Sequence, residues 1–119
     1  MHEPDIEKTA ITTEFGLFEW VVMLQGTCNS PATKQRRLNE ALHGLIGEIC
    51  EVYVDDIIVW AKDVDELNSC LEAVLGRLQN AGLVCSPTKS EFFCDKVKFL
   101  SHVISANCIC PDPVKVRTI

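Results

Sequence analysis

Hydrophobic residues recur at helical spacing in two stretches of this chain. In the first stretch, Ser30 and Pro31 supply the cap and the first-turn proline that are typical of a helix start. The spacing predicts a helix from about Pro31 to Leu45. Its apolar face is predicted to carry four residues, Leu38, Ala41, Leu42 and Leu45.

The second stretch follows a polar segment in the middle of the chain. A helix is predicted to open at Asp63, where Glu66 would complete a capping box. It is predicted to end at Gly82, because glycine adopts the left-handed conformation that closes many helices. Its buried face is predicted to carry five residues, Leu67, Leu71, Val74, Leu75 and Leu78.

Runs of β-branched and aromatic residues predict the strands. Residues 9–13 and 17–23 form one predicted pair, which turns at Phe15-Gly16. Residues 49–52 and 57–60 form a second pair, around Tyr53-Val54-Asp55-Asp56. The adjacent aspartates are predicted to form the tight turn of this second hairpin.

The last third of the chain predicts further short strands, at residues 83–85, 96–100 and 102–105. Strands, helix, hairpin, helix and strands follow one another in this order. The order predicts an α+β fold, with helices on one face of an antiparallel sheet.

Length and composition predict one globular domain at most. The chain has 119 residues, of which 47% are hydrophobic, and it has no long polar tract. No apolar run approaches the roughly 18 residues of a membrane span, and the polar start is unlike a signal peptide. We therefore expect an intracellular protein, cytoplasmic or nuclear, with no membrane partner.

The seven cysteines are odd in number, and most lie within apolar patterns, as Cys70 does. This favours buried free thiols over disulfides. Cys108 and Cys110 are too close in sequence for a usual zinc pair, and no second pair completes a zinc site.

A net charge of −6 argues against strong nucleic-acid binding by this chain alone, because such binding normally needs a basic surface. The positive charges form two local groups that leave weak binding possible. They are Lys34, Arg36 and Arg37 in the first helix, and Lys89, Lys96 and Lys98 in the last third.

Asp55 and Asp56 are the strongest candidates for chemistry. Two adjacent carboxylates repel each other, so either water screens them in a surface turn or a divalent cation neutralises them. Oxygen ligands without nearby His or Cys favour a hard cation, Mg²⁺ or Mn²⁺. Polymerases use such a pair for two-metal catalysis, but a solvated turn is also compatible with the local sequence.

Five segments in chain order resemble the motifs of one family, the reverse transcriptase of gypsy-type long-terminal-repeat retrotransposons. They are residues 7–20, 25–36, 53–56, 82–89 and 97–102. The segment Tyr53-Val54-Asp55-Asp56 matches the Y-x-D-D box of that family. Five motifs in the right order are more specific than the box alone.

The resemblance implies an RNA-directed DNA polymerase that uses Mg²⁺ or Mn²⁺, with an RNA or DNA template-primer and deoxynucleoside triphosphates as partners. Asp55 and Asp56 would hold the metal ions. Lys89 would protonate the leaving pyrophosphate or neutralise its charge, although a solvated lysine in a turn is the alternative.

The resemblance also implies binding roles. Gln25 and Gly26 would lie against the incoming nucleotide and the template, unless they are an ordinary loop. Tyr53 would sit beneath the primer terminus, unless it packs in the core. The segment that grips the primer end would include Phe99, Leu100 and His102.

The implied organisation is a partial polymerase palm with part of the fingers. Residues 1–30 would be fingers-side strands and a loop, residues 31–95 the palm with its Y-x-D-D hairpin, and residues 96–119 a primer-grip-like hairpin with the start of the thumb connection.

Several departures from the family pattern bear on activity. The third catalytic aspartate of the family lies in a motif upstream of the matched segments, and the chain lacks that motif, so we expect it to be inactive alone. The open sheet edge that this leaves would allow self-association. Leu24 replaces a usual proline, Lys34 an aromatic residue and Ser101 a glycine. Lys34 is expected to bring a charge to a packed helix position.

Two other functions are compatible with the sequence. The chain would be a non-catalytic module that binds nucleic acid or a partner protein, or else a translated pseudogene product.

Overall fold

The computed structural model describes residues 1–116 of the chain. Residues 117–119, the end of the expected thumb connection, lie outside the described residues. The helices are α1 Glu3–Ile6, α2 Ser30–Ala41, α3 Val64–Asn80 and α4 Pro113–Val116, with short 3-10 helices at Glu7–Thr9 and Pro87–Lys89. The strands are β1 Ile11–Thr13, β2 Gly16–Phe18, β3 Cys50–Tyr53, β4 Asp56–Val59, β5 Lys96–Phe99, β6 His102–Ser105 and β7 Ile109–Pro111.

The α+β class is confirmed, and every strand pair is antiparallel. The strands form three small sheets rather than one, in the orders β1-β2, β3-β4 and β5-β6-β7. Within residues 1–116, no strand joins the β3–β4 hairpin to a neighbouring sheet. The chain divides into two compact units, one from Met1 to Lys34 and one that begins at Gln35.

The first unit contains the β1–β2 hairpin, whose strands are shorter than predicted. Thr13 pairs with Gly16, so the turn lies at Glu14-Phe15, one residue before the predicted position. Gly16 has a φ of +131°, a value that glycine adopts without a side-chain clash. Every residue of both strands is exposed, and Phe15 is 83% exposed.

Helix α2 starts one residue earlier and ends four residues earlier than predicted, at Ser30 and Ala41. Turns follow it, because the amide of Leu45 bonds to the Leu42 carbonyl at 2.9 Å and Gly44 has a φ of +83°. The Ser30 hydroxyl donates to the Leu24 carbonyl at 2.6 Å. Lys34 is exposed, so the expected burial of its charge is wrong.

Helix α3 has the predicted caps at both ends. The Asp63 carboxylate accepts a hydrogen bond from the Glu66 amide at 2.8 Å, while the Glu66 carboxylate accepts from the Lys62 amide. At the other end Gly82 has a φ of +69°. The amides of Gly82 and Leu83 bond to the carbonyls of Gln79 and Leu78, the pattern of a Schellman motif.

This C-terminal cap explains why the strand predicted at residues 83–85 is wrong. Leu83 packs against the core as the hydrophobic residue of the Schellman motif. The next residue, Val84, is 94% exposed, and residues 83–85 have no strand partner.

The core of the second unit lies between α2, α3 and the β3–β4 hairpin. Its buried residues are Leu38, Leu42, Cys50, Val52, Val74 and Leu78. Leu67 and Leu71 are half-buried, as expected on this helix face. Leu75 was predicted to be buried and is 42% exposed, because the buried stripe of α3 runs through Cys70, Val74 and Leu78 instead.

The seven cysteines are all free, but the prediction that most are buried is wrong. Cys50 and Cys70 are buried. The exposed ones are Cys28, Cys85, Cys94, Cys108 and Cys110. Four of these five lie in loops or at strand ends, where apolar neighbours in sequence do not bring burial. Of the helices in the described part of the chain, none is both long and apolar enough to span a membrane.

Candidate functional site

The aspartate pair lies at the tip of the β3–β4 hairpin. Tyr53 pairs with Asp56, so the two-residue turn is Val54-Asp55. Asp55 is in the turn as predicted, whereas Asp56 is the first residue of β4. The prediction that both aspartates form the turn is therefore wrong for Asp56. Both side chains are exposed.

A contact from helix α2 supports this turn. Val54 has a φ of +53°, a value that suits the first central residue of a two-residue hairpin turn but is costly for a β-branched residue. Its amide donates a hydrogen bond to the side-chain carbonyl of Gln35 at 2.5 Å. The Gln35 amide group in turn donates to the Asn39 side chain at 2.9 Å.

Strand alternation divides the hairpin into two faces. The face that carries Cys50 and Val52 packs on the helices. The opposite face, which we call the open face, carries Glu51, Tyr53, Asp56 and Ile58, as the pairing of Glu51 with Ile58 and of Tyr53 with Asp56 shows. Tyr53 is 55% exposed, so the alternative that it packs in the core is wrong.

Two residues of this region, Glu51 and Gln35, are not among the residues predicted from the sequence motifs. Glu51 shares the open face with Asp56, and alternation along the predicted strand was a signal that pointed to it. Gln35 lies 19 residues from Val54 in sequence, and no local pattern indicates their contact.

The carboxylates of Asp55 and Asp56 are suitable oxygen donors for a hard divalent cation. Two carboxylates leave most of the coordination sphere to water or to other groups. Within residues 1–116, no group of three or more His, Cys, Asp and Glu side chains is placed to hold a metal ion. The donor chemistry thus fits Mg²⁺ or Mn²⁺, while the ligand set is that of a weak site.

Lys89 ends the 3-10 helix Pro87–Lys89, and its side chain is exposed. Hydrogen bonds hold this turn, from the Lys89 amide to the Ser86 carbonyl at 3.2 Å and from the Ser90 hydroxyl to the same carbonyl at 2.7 Å. These contacts order the backbone beside Lys89. They are compatible both with a role at the pyrophosphate and with a solvated lysine.

Gln25 and Gly26 lie in a turn of the first unit and are exposed. Gly26 has a φ of +88°, which a side chain would strain. The hydroxyl of Thr27 and that of Ser30 both reach the Leu24 carbonyl, which ties this loop to the start of α2. The aspartate hairpin belongs to the second unit.

The expected primer-grip residues surround the β5–β6 turn. Phe99 is buried and pairs with His102, and the turn itself is Leu100-Ser101. Leu100 and Ser101 have φ values of +50° and +64°, so two non-glycine residues occupy left-handed positions. The His102 ring nitrogen Nδ1 lies 2.8 Å from the Leu100 carbonyl oxygen.

One ion pair supports the same sheet. Lys98 Nζ lies 3.2 Å from an Asp112 carboxylate oxygen. The pKa of Asp112 is lowered, first because its carboxylate accepts a hydrogen bond from the Val114 amide and then because Lys98 lies beside it. Asp112 is therefore ionised at neutral pH and ties α4 to β5.

Comparison with known proteins agrees with the motifs. The family model described as "Reverse transcriptase (RNA-dependent DNA polymerase)" matches residues 1–104. The whole chain is 41% identical to part of the Retrovirus-related Pol polyprotein from transposon opus of Drosophila melanogaster, of which it covers 12%. It is 37% identical to 11% of the corresponding polyprotein from transposon 297 of the same organism.

A solved structure shows the same fold. The whole chain superposes with a TM-score of 0.82 on the foamy viral protease-reverse transcriptase in complex with dsDNA, at 30% identity and over 25% of that chain. The chain thus spans about an eighth of the polyproteins and a quarter of the solved enzyme. On these matches, the chain belongs to the reverse transcriptase family, and its 119 residues correspond to one segment of the Pol polyproteins of retrotransposons.

Proposed function

We propose that this chain supplies the palm hairpin and primer-grip region of an RNA-directed DNA polymerase. One observation carries the proposal: the β3–β4 hairpin exposes Asp55 at its tip and Asp56 with Tyr53 on the open face. The helices cover only the other face of the hairpin. The open face is thus available for metal, primer and nucleotide.

Asp55 and Asp56 are the proposed metal-holding residues, and reverse transcriptases generally use divalent ions. When bound, such an ion supplies activation of an attacking hydroxyl and charge stabilisation at a leaving oxygen. Tyr53 pairs with Asp56 across the hairpin, and this pairing supports its proposed role beneath a primer terminus beside the carboxylates. Lys89 is proposed to balance charge on the pyrophosphate.

The remaining roles follow the family pattern. Gln25 and Gly26 are proposed to contact the nucleotide and template, because the glycine allows close backbone approach and the glutamine offers a donor and an acceptor. Phe99, Leu100 and His102 are proposed to form the primer grip. In this assignment residues 1–30 are on the fingers side, residues 31–95 form the palm and residues 96–119 lead to the thumb.

Nucleic acid and deoxynucleoside triphosphates are the proposed partners of the complete polymerase. The chain alone has a net charge of −6 and is proposed to bind nucleic acid weakly. The first unit exposes many large apolar residues, including Phe15, Leu17 and Val21. Such surface is typical of a segment that packs against more of the same protein.

A chimera tests the proposal directly. This chain would replace the matched segment of the reverse transcriptase from transposon opus, to which it is 41% identical. The chimera is expected to extend a primer on an RNA template. Asp55→Asn is expected to lower the rate by at least about a thousandfold, since it removes a metal ligand. Asp95→Asn changes an exposed aspartate outside the hairpin and is the matched control.

Two outcomes would overturn the proposal. One is a folded chimera that incorporates no nucleotide. The other is incorporation that Asp55→Asn and Asp95→Asn affect equally, because the hairpin carboxylates would then have no special part in the reaction.

A further inference from the structure

Two thiols outside the aspartate hairpin lie in contact on one face of the β5–β7 sheet. Cys108 Sγ and Cys110 Sγ are 3.3 Å apart, with the Cys110 thiol donating to the Cys108 sulfur. Cys110 is the middle residue of β7 and Cys108 lies just before the strand, and the contact of the two sulfurs shows that both side chains lie on the same side. Both cysteines are free and exposed.

The two sulfurs line an open pocket of about 260 Å³. Strand pairing brings Lys96 opposite Ser105 and Val103 opposite Cys110, and all four residues line this pocket. Pro111 contributes to the wall beside Cys110. The pocket therefore offers two thiols, a hydroxyl and a cation to a small molecule that enters from solvent.

The surroundings make the two thiols unequal. The pKa of Cys108 is lowered, first by the hydrogen bond of the Ser105 side chain and then by that of Cys110, with a smaller contribution from the positive charge of Lys96. The pKa of Cys110 is raised, chiefly because its thiol donates to Cys108. Thiolate is the nucleophilic form of cysteine. Cys108 is therefore the thiol that attacks first, and Cys110 is the thiol that reacts in the second step.

We propose that Cys108 and Cys110 form a reactive vicinal dithiol, which a small organic disulfide of the glutathione class oxidises to an intramolecular disulfide. The Cys108 thiolate attacks one sulfur of the reagent, and its sulfur–sulfur bond breaks to release a thiolate that takes up a proton. Cys110 then loses its proton to solvent and attacks the Cys108 sulfur, which releases the second thiol. Two protein thiols are oxidised and one disulfide is reduced to two thiols.

The resulting disulfide is readily reversible. Both cysteines are exposed, and exposed disulfides have higher reduction potentials than buried structural ones. A bond of this kind is easily reduced by excess thiol. The two cysteines therefore form a modification site, and their oxidation state depends on the ratio of disulfide to thiol in the surrounding solution.

The test treats the folded 119-residue chain with oxidised glutathione, blocks free thiols at intervals and maps the products by mass spectrometry. A Cys108–Cys110 disulfide is expected, formed at least about tenfold faster than any adduct at Cys85 or Cys94, which are exposed cysteines without a thiol partner. Cys110→Ser is expected to stop at a mixed disulfide between glutathione and Cys108. Reduced glutathione in excess is expected to restore both thiols.

Phenylarsine oxide provides a second measurement, because it binds two neighbouring thiols with loss of water and requires no oxidation. One equivalent is expected to bind the unmodified chain, and Cys108→Ser or Cys110→Ser is expected to abolish this binding. The proposal would be overturned by adducts spread equally over the exposed cysteines. It would also be overturned by a Cys110→Ser variant that oxidises and binds the arsenical like the unmodified chain.

Discussion

The side-chain carbonyl oxygen of Gln35 lies 2.5 Å from the backbone nitrogen of Val54 and joins helix α2 to the tip of the β3–β4 hairpin. Val54 is held at a φ of +53°, which costs a non-glycine residue roughly 1–2 kcal/mol. A contact at this amide stabilises the strained turn where it is most needed. The position of Asp55, the next residue, thus depends on a residue of the helix.

Removing the acceptor at position 35 is expected to destabilise the hairpin. Gln35→Met keeps the length of the side chain and loses the hydrogen bond, which is expected to lower the free energy of unfolding by about 1 kcal/mol. Urea denaturation followed by circular dichroism measures this. Gln79→Met, at an exposed position of α3, is the matched control and is expected to change stability little. Equal losses in both variants would rule out a special role for Gln35.

The β5–β6 turn offers a stabilising substitution. Leu100 and Ser101 both have positive φ values, and glycine is the residue that such a two-residue turn favours at the second position. Ser101→Gly is expected to raise the free energy of unfolding by about 1 kcal/mol, because the left-handed conformation then costs no clash. The lost hydrogen bond from Lys115 Nζ to the Ser101 hydroxyl is exposed and offsets little of this gain.

Ser90→Gly is the matched control for this turn. Ser90 also loses one hydroxyl hydrogen bond, to the Ser86 carbonyl, but its φ is −89°. Ser90→Gly is therefore expected to lower the free energy of unfolding, since glycine relieves no strain there and only raises the conformational entropy of the unfolded chain. Thermal unfolding of both variants measures the difference, and a Ser101→Gly variant no more stable than the Ser90→Gly variant would contradict the strain argument.

Sequence patterns predicted the parts of the fold that local chemistry determines. The caps of α3 at Asp63 and Gly82 are examples, since each depends on residues within one turn. Burial depends on which elements meet, and here prediction failed. Leu75 fits the apolar stripe of α3 but lies outside the part of it that reaches the core. Strand β7 was missed because Cys110 and Pro111 give no strand pattern.

The candidate site was predictable to a similar degree. The hairpin around Asp55 and Asp56 followed from apolar runs on both sides of a short polar segment. Which aspartate enters the strand depends on register, and the pairing of Tyr53 with Asp56 settles it. The support from Gln35 could not be predicted, because a hydrogen bond between a helix and a distant turn leaves no periodic signal.

The metal site of the isolated chain is expected to be weak. Two carboxylates leave Mg²⁺ with much of its water shell, so calorimetric titration is expected to give a Kd no tighter than about 1 mM. Asp56→Asn should weaken this further. Micromolar binding that Glu51→Gln abolishes would contradict the prediction and identify Glu51 as a third ligand on the open face. Glu72→Gln, on the exposed side of α3, is the control.

The isolated chain is also expected to incorporate no nucleotide. Two-metal phosphoryl transfer needs carboxylates beyond a pair, and the residues from 1 to 116 place no third acidic or histidine ligand with Asp55 and Asp56. A primer-extension assay on a homopolymer template with Mg²⁺ or Mn²⁺ measures this. Reproducible incorporation that Asp55→Asn abolishes would show that the chain is a polymerase by itself.

The last prediction concerns self-association through the β3–β4 hairpin. In the described part of the chain no further strand pairs with β3 or β4, and the only other pairing is an isolated parallel bridge between Ile46 and Cys50 at the start of β3. Trp60 beside β4 is exposed, and Ile58 on the open face is half-buried. An unpaired apolar edge recruits strands from other chains. The purified chain is therefore expected to be oligomeric or prone to aggregation at tens of micromolar, as measured by analytical ultracentrifugation.

Two changes are expected to restore the monomer. Fusing about thirty residues that precede the matched segment in a related element would supply a strand with its connection. Ile58→Lys would place a charge on the open face opposite Glu51, and lysine discourages edge pairing. Leu75→Lys replaces an exposed apolar residue of α3 and is the control, with no expected change in association. A monomeric unmodified chain that unfolds cooperatively would contradict this prediction, because the hairpin would then be stable without a further strand.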